Sequence, residues 1–334
     1  MVLGVSVIIC TYNGAERIPE TLRHLALQQV PVYIPWEIII VNNASKDATM
    51  VIAKKEWQKY QMLDVEVKFV EQPFAGLSHA REKGILTANY EYLLFCDDDN
   101  WLFPEYVSTA FNIINSDPKI GVLGGCGIFE PEQPDNKEIE KFKEYYVNGS
   151  QQWTSTQHWV YGAGSLYKKS ILIELLGKGW QQITTGRIGS KLISGEDVEI
   201  CFMIYLSGYK IISDDRLIFK HFVPLKRQSI AFIISMVFWL NYSNTLLICY
   251  YALIHNDKRP IKKILDDRFW DISKTLIKQY ILYCYKSIKS WGKYTTEQKI
   301  AFQSTRGKFF SLLQNRKTII VHYQQISKIL SSNF

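Results

Sequence analysis

Strand-like and helix-like stretches alternate through the first hundred residues, and nothing else in the chain limits its fold so tightly. Val5–Cys10 is a nearly unbroken apolar run, the mark of a strand covered on both faces. Thr11-Tyr-Asn-Gly14 interrupts it, and Ile18–Gln29 follows with Ile18, Leu22, Leu25 and Leu27 at near-helical spacing. The pattern repeats: strand at Trp36–Val41, helix at Ala48–Tyr60, strand at Val65–Val70, helix at Ser78–Ala88, strand at Tyr92–Cys96. Strands separated by helices of this length predict βαβ units, a parallel sheet and right-handed crossovers. Beyond Asp97 the rhythm loosens. Helices are predicted over Pro104–Ser116, Lys169–Leu176 and Val198–Ser207, and strands over Ile120–Phe129 and from Lys210 towards His221. Trp159–Tyr167, with Gly162 and Gly164, reads as a strand edge close to a ligand. Gly177–Ser194 reads as a Gly/Thr-rich loop of the kind that gates a site.

The 334 residues are enough for two domains. With 47% hydrophobic and 21% charged residues the chain is neither disordered nor fibrous. Its six cysteines are widely spaced with no C-x-x-C pair, which argues against a zinc knuckle or thioredoxin motif and for a reducing compartment. No positive charge precedes the N-terminal apolar run, which reads as a strand and not a secretory signal. The net charge of +7 is uneven: His255–Phe334 carries 16 Lys/Arg against 5 Asp/Glu, leaving 23 against 27 before it. A basic tail on an acidic body either meets something anionic, such as a membrane surface or nucleic acid, or is a solvated helical face. Ile230–Leu240 and Thr245–Ile254 are apolar runs flanking Asn241-Tyr-Ser-Asn244. Each is about half of the ~20 residues that span a bilayer, so an amphipathic or buried helical pair is expected.

Chemistry concentrates at Asp97-Asp98-Asp99-Asn100, directly after the strand at Tyr92–Cys96. Three adjacent carboxylates repel one another, and a parallel strand ending in them delivers them to the carboxyl edge, where open α/β sheets bind ligands. Hard oxygen donors there suit Mg²⁺ or Mn²⁺ bridging a diphosphate. A helix-capping turn is the alternative, but one carboxylate would suffice for that. A second acidic motif, Gly195-Glu196-Asp197-Val198-Glu199, opens a helix; it suits either a general base or an N-cap favoured by the helix dipole.

Four ordered blocks resemble the inverting, nucleotide-sugar-dependent family 2 glycosyltransferases. They are Val5–Asn13, Glu37–Asp47, Leu94–Trp101 with Pro104, and Gly195–Glu199, spread over roughly the first 225 residues. The resemblance implies a GT-A fold, that is, a Rossmann-like, mostly parallel central sheet flanked by helices. This catalytic domain would occupy residues 1–225, and a basic, mainly helical region, residues 226–334, would contact the acceptor or a membrane surface. It implies that Thr11, Tyr12 and Asn13 line the base pocket. Where the family usually has an Asp after the second strand this chain has Asn42 and Asn43, whose amides still offer a donor and an acceptor. Asp47 fits the closing Asp of that block. Arg81 would reach the diphosphate or form a surface salt bridge. Asp97 and Asp99 satisfy the family's Asp-x-Asp metal spacing: Asp99 is the expected ligand, joined by Asp97, with Asp98 or Asp97 on the ribose. His221 stands where many members place a further metal ligand, or is a strand-end histidine. Asp197 resembles the catalytic base and Glu196 the neighbour that positions the acceptor.

The implied cofactor is Mn²⁺ or Mg²⁺ and the donor a nucleoside-diphosphate sugar, a UDP-sugar first. Processive members carry Gln-x-x-Arg-Trp and long membrane spans; neither is found here, so one sugar per cycle is expected, delivered to a glycan or lipid-linked acceptor in surface-polysaccharide synthesis. The expected setting is cytoplasmic, with peripheral attachment to an anionic inner membrane face left open. A sugar-phosphate nucleotidyltransferase would want a richer Gly/Arg loop than Thr11–Arg17. A dinucleotide-binding dehydrogenase would want G-x-G-x-x-G, which Gly124-Gly-Cys-Gly127 lacks. A nucleic-acid-binding module would leave the acidic triad unexplained, and nucleic acid is not expected as a partner. A catalytically inactive nucleotide-sugar binder is the remaining alternative.

Overall fold

The computed structural model describes residues 2–60, 64–186, 192–288 and 294–331. The chain forms two compact units, residues 1–177 with 200–228, and residues 178–199 with 229–334.

The first unit is built on strands β1 (Val2–Thr11), β2 (Trp36–Asn43), β3 (Glu66–Gln72), β4 (Tyr90–Phe95), β5 (Asn100–Leu102), β6 (Ile120–Pro131), β7 (Ser165–Lys168) and β8 (Lys210–Val223). Its helices are α1 (Ile18–Ala26), α2 (Thr49–Trp57), α3 (Leu77–Thr87), α4 (Tyr106–Ser116), the one-turn α5 (Lys137–Glu140) and α6 (Thr154–Gln157), and α7 (Lys169–Gly177). All eight strands make one sheet in the order β3-β2-β1-β4-β7-β6-β8-β5. Ladders β3-β2-β1-β4 are parallel, as the βαβ rhythm predicts. β7 then enters antiparallel to both β4 and β6, so the sheet is mixed, and β5 closes it antiparallel to β8.

Val7 lies between Ile38 and Leu94 in register, and the alternating side chains of β1 pack under helices on both faces. Leu22 and Leu25 of α1 and Val107, Ala110 and Ile114 of α4 are sealed in one cluster with Val5, Val7 and Ile9. The predicted strand over Trp159–Tyr167 is shorter than expected: only Ser165–Lys168 is strand, residues 159–161 have no regular structure, and residues 162–164 bend into it. Gly164 has φ +67°, and a Cβ there would fall 2.7 Å from the Tyr106 hydroxyl, so the glycine serves close packing as well as backbone geometry.

The second unit holds the first turn of α8 (Glu196–Leu206) and four further helices, α9 (Ile230–Leu246), α10 (Ile248–Ile254), α11 (Ile261–Ile288) and α12 (Thr296–Ser331). The polar Asn241–Asn244 stretch does not break α9, contrary to the sequence expectation. Asn241 Nδ2 donates to Val237 O (2.9 Å), Ser243 Oγ to Trp239 O (2.9 Å) and Thr245 Oγ1 to Asn241 O (2.7 Å). Side chains that bond back to their own helix satisfy themselves without ending it, and bend it instead. The break comes at Leu247, with a 51° bend between α9 and α10. Among the described residues no single helix is long and apolar enough to cross a membrane, though this bent pair passes that test when its parts are taken together. α11 and α12 form an antiparallel hairpin through Phe269 on Phe309, Tyr283 on Phe302 and the Arg316–Asp266 ion pair at 2.6 Å. α12 lies against α9 at Gly307, where a Cβ would fall 2.2 Å from Phe238 O.

α3 reaches β1 in the same way: a Cβ on Gly84 would sit 2.5 Å from Ile8 Cγ2, a fully buried side chain. Gly84→Ala gains helix propensity but must push α3 off the sheet. The expected outcome is a loss of about 1–3 kcal/mol in denaturant unfolding; a stabilised variant would show that the contact is slack.

Candidate active site

The carboxyl ends of β1, β2 and β4 lie side by side in register, and the loops leaving them carry most of the residues singled out from the sequence. β1 ends at Thr11, which is buried, and its hydroxyl donates to Asp98 Oδ2 at 2.6 Å. Arg17, at the head of α1, closes on the same carboxylate with Nε to Oδ1 and Nη2 to Oδ2, both 2.8 Å. Thr21 Oγ1 donates to the Asp98 carbonyl. Both oxygens of Asp98, the middle carboxylate of the triad, are therefore engaged inside the protein, in a two-pronged geometry that fits guanidinium to carboxylate. Gly14 makes room for this: a Cβ there would lie 2.1 Å from Thr11 Oγ1 and 2.3 Å from Asp98 Oδ2.

Asn13 adopts φ +47°, which asparagine tolerates, and its amide oxygen accepts from Lys46 N at 2.8 Å while its own N–H donates to Ser45 Oγ. Asp47 accepts from Ala15 N at 3.2 Å and from Thr49 N and the Thr49 hydroxyl. The loops after β1 and β2 are thus clasped together. Burial raises the Asp47 carboxyl, but the hydrogen bonds from Thr49 and Ala15 outweigh it and hold it below the ordinary 3.8. Asn42 and Asn43 use both ends of their amides inside the protein. Asn42 donates to Glu71 and accepts from Ser45 N; Asn43 donates to Phe74 O and accepts from Gly76 N. Tyr12 is nearly half exposed at the rim.

Arg81 is buried on α3 with its guanidinium 5.1 Å from the Phe95 ring, at the end of β4. Its charge is felt at Cys10, where burial pushes the thiol up to about 12, Arg81 lowers it, and Asp97 and Asp98 raise it. Cys10 is therefore held towards the neutral thiol.

Asp99 is buried, and its Oδ2 accepts from Arg227 Nη1 at 2.9 Å. The β5–β8 register pairs Asn100 with His221, which brings His221 Nε2 to 4.0 Å from Asp99 Oδ1. Asp97 follows the last residues of β4, with its N–H bonded to Asn100 Oδ1. Among the described residues no group of three or more His, Cys, Asp or Glu converges as a metal cage. A carboxylate and an imidazole side by side do fit an ion whose other positions are filled by phosphate oxygens and water, which is how Mg²⁺ and Mn²⁺ are commonly held at nucleotide sites. Sequence reasoning gave no role to Arg17 or Arg227. Arg17 sits six residues beyond a strand end and Arg227 six beyond His221, spacings that mean nothing until the chain turns back.

Glu196 and Asp197 open α8 in the second unit, after Gly195 at φ +95°. Gln182 Nε2 donates to the Glu196 carbonyl (2.8 Å), and Asp197 Oδ1 accepts from Val198 N (2.9 Å). Glu199, to which the sequence reading gave no role, is fully buried. It accepts from Ile183 N, Thr184 N, the Thr184 hydroxyl and the Tyr250 hydroxyl, with His322 Nε2 at 3.2 Å. Residues 187–191 of the expected gating loop lie outside the described residues.

This arrangement is an open α/β sheet with acidic and basic side chains gathered at the carboxyl ends of its strands, where such sheets bind ligands. Residues 6–176, just over half of the chain, match Glycosyl transferase family 2, and the chain belongs to that family. Glycosyl transfer is accordingly its class of activity. It is 24% identical over 275 residues to a glucosyl-dolichyl phosphate glucuronosyltransferase of Haloferax volcanii, covering 79% of this chain and 83% of that one. It is 26% identical to a cholesterol galactosyltransferase of Borreliella burgdorferi over 62% of this chain and 56% of that one. Among solved structures, the mannosyltransferase PcManGT of Pyrobaculum calidifontis, in complex with GDP-Man and Mn²⁺, matches all of this chain and 87% of its own, with TM-score 0.53 and 18% identity. At that identity the likeness establishes the GT-A-like fold alone.

Two tests follow. Arg17→Ala strands a buried carboxylate, and unfolding stability is expected to fall by about 3–5 kcal/mol, with Arg17→Lys losing less; an unchanged midpoint would remove Asp98 from its place as an anchor. For Asp47, a lowered folded-state value means its contribution is present above the ordinary 3.8 and is lost as pH falls through the lowered value. The amide proton shifts of Ala15 and Thr49 should titrate with a midpoint below 3.8, and Asp47→Asn should abolish that titration.

Proposed function

We propose that this chain is a non-processive, inverting transferase that moves one sugar from a nucleoside-diphosphate sugar, a UDP-sugar first, to a hydroxyl of a lipid-linked or glycan acceptor at an anionic membrane surface. Such a reaction belongs to the assembly of surface polysaccharide. The observation that carries the donor side is the division of labour in the triad. With both Asp98 oxygens engaged by Arg17 and Thr11, Asp97 is assigned to the ribose and Asp99, beside His221, to a divalent ion. The ion, when bound with the diphosphate, supplies the charge that stabilises the leaving group. Arg227 and Arg81 add fixed positive charge for the same oxygens. Thr11, Tyr12, Asn13, Asn42 and Asn43 form the base end, with Asn13, Asn42 and Asn43 acting through the loops they fasten. The chain's relatives include transferases whose names specify lipid acceptors, a dolichyl phosphate and a cholesterol, which supports the acceptor class.

Asp197 is assigned as general base and Glu196 as the residue that holds the acceptor. The acceptor oxygen forms its bond to the anomeric carbon as the bond from that carbon to the diphosphate oxygen breaks. The electron pair leaves with the nucleoside diphosphate, and the hydroxyl proton passes to Asp197. Attack from the face opposite the leaving group inverts the configuration, through an oxocarbenium-like transition state.

Asp197→Asn should lower transfer by at least about 100-fold while donor binding, read by thermal shift, is kept. Asp99→Ala should weaken both. Near-wild-type turnover in either would falsify the assignment. Because the protein offers few metal ligands of its own, Mn²⁺ alone should barely move the melting temperature, whereas Mn²⁺ with a nucleoside diphosphate should raise it more than the nucleotide does. A large shift with Mn²⁺ alone would point to a resident metal site instead.

A further inference from the structure

The outer face of α11 is built in a way that hairpin packing does not explain. Trp270, Ile277, Ile281 and Tyr285 follow one another at spacings of seven, four and four, which places them on one line along the helix. They are 62%, 58%, 61% and 50% exposed. The face of α11 turned to α12 is a different one, where Phe269 stacks on Phe309 and Gln279 donates to Ala301 O. Lys274 lies on the exposed line and Lys278 at its edge, both open to solvent. From Ile272 to Phe334 the chain has 11 Lys/Arg and one acid, Glu297.

We propose that this stripe of α11 docks on a bilayer of anionic phospholipid, the aromatic and aliphatic side chains entering the headgroup boundary and the lysines meeting lipid phosphates. The proposal deepens the membrane-surface reading given above and rests on it for the setting alone. Four observations favour a bilayer over other occupants. An apolar line rimmed by lysines on an exposed helix is the composition of a surface-lying membrane helix. Tryptophan and tyrosine, each with an apolar body and a polar edge, suit the headgroup depth. A second copy seated on the same stripe would bring Lys274 and Lys278 of each copy against the other's lysines. A nucleic-acid backbone would use the lysines but has no use for Ile277 and Ile281.

The test uses the full chain and sedimentation with vesicles of phosphatidylcholine alone, or of phosphatidylcholine with phosphatidylglycerol. Wild type should pellet with the anionic vesicles and far less with neutral ones, and binding should weaken as salt rises. The triple variant Trp270→Ser, Ile277→Ser, Ile281→Ser changes only exposed side chains, so its circular dichroism and its donor-induced thermal shift should stay those of wild type. Its binding to anionic vesicles should fall about tenfold or more. Equal vesicle binding by wild type and variant overturns the stripe but leaves the membrane reading standing. No binding by wild type overturns both. A dimer in light scattering that the triple variant converts to monomer, or retention by an oligonucleotide that exceeds retention by vesicles, replaces the bilayer with those occupants. None of these outcomes depends on whether the chain transfers sugar, which the thermal shift reads separately.

Discussion

A single buried carboxylate organises the sheet edge. Asp98 follows β4, yet its partners come from the end of β1 and the start of α1: the Thr11 hydroxyl, both prongs of Arg17, and Thr21 on its carbonyl. Two parallel strands and the helix that connects onward are thereby held in one geometry. Burying a carboxylate is costly unless its charge is matched and its lone pairs are filled, and here both conditions hold. The neighbouring carboxylates take their positions from this one. Asp97 and Asp99 flank a residue that cannot rotate, and Asp99 is fixed further by Arg227. Adjacent like charges are tolerable because Arg17 stands beside Asp98 and Arg227 beside Asp99.

The second unit uses the same device around Glu199. Two backbone N–H groups and two hydroxyls converge on that carboxylate, the Tyr250 hydroxyl also meets Trp180 Nε1 at 2.9 Å, and His322 stands beside both. Burial, with the Glu199 charge added, holds the Tyr250 phenol well above its ordinary range, so it stays a donor. The result joins residues 183–184, the first turn of α8, α10 and α12 through one acceptor. Asp197 lies two positions before Glu199 on that turn. The general base proposed at Asp197 would take a fixed direction from a turn anchored this way.

The parallel half of the sheet was legible because its signal is local. Apolar runs such as Val5–Cys10 and Trp36–Val41 cannot be solvated on either face, and the helices between them carry their own periodicity. The acidic triad was legible for a related reason: position at a strand end is a sequence property. Other features depend on distant partners. β7 joins antiparallel because Ser165–Lys168 finds β4 on one side and β6 on the other, a choice that four residues cannot announce. The α9 break was misplaced because the polar Asn241–Asn244 stretch separates two apolar runs, yet Asn241 and Ser243 each bond back to their own helix. Asn42 and Asn43 show the same limit. An amide at a strand end suggests a ligand, but whether it faces a ligand or a loop is decided by Glu71, Ser45, Phe74 and Gly76.

That last distinction changes how base selection has to be understood. With the amides of Asn42 and Asn43 spent on loops, the base end proposed above would be shaped by where those loops stand, as held by the clasp of Asn13, Ser45 and Asp47. A carboxylate at Asn42 would meet the Glu71 carboxylate where a donated hydrogen bond of 2.8 Å now stands. Two acids at that distance cannot both be charged without cost. The asparagine is therefore matched to Glu71, and Asn42→Asp would set two carboxylates against each other there.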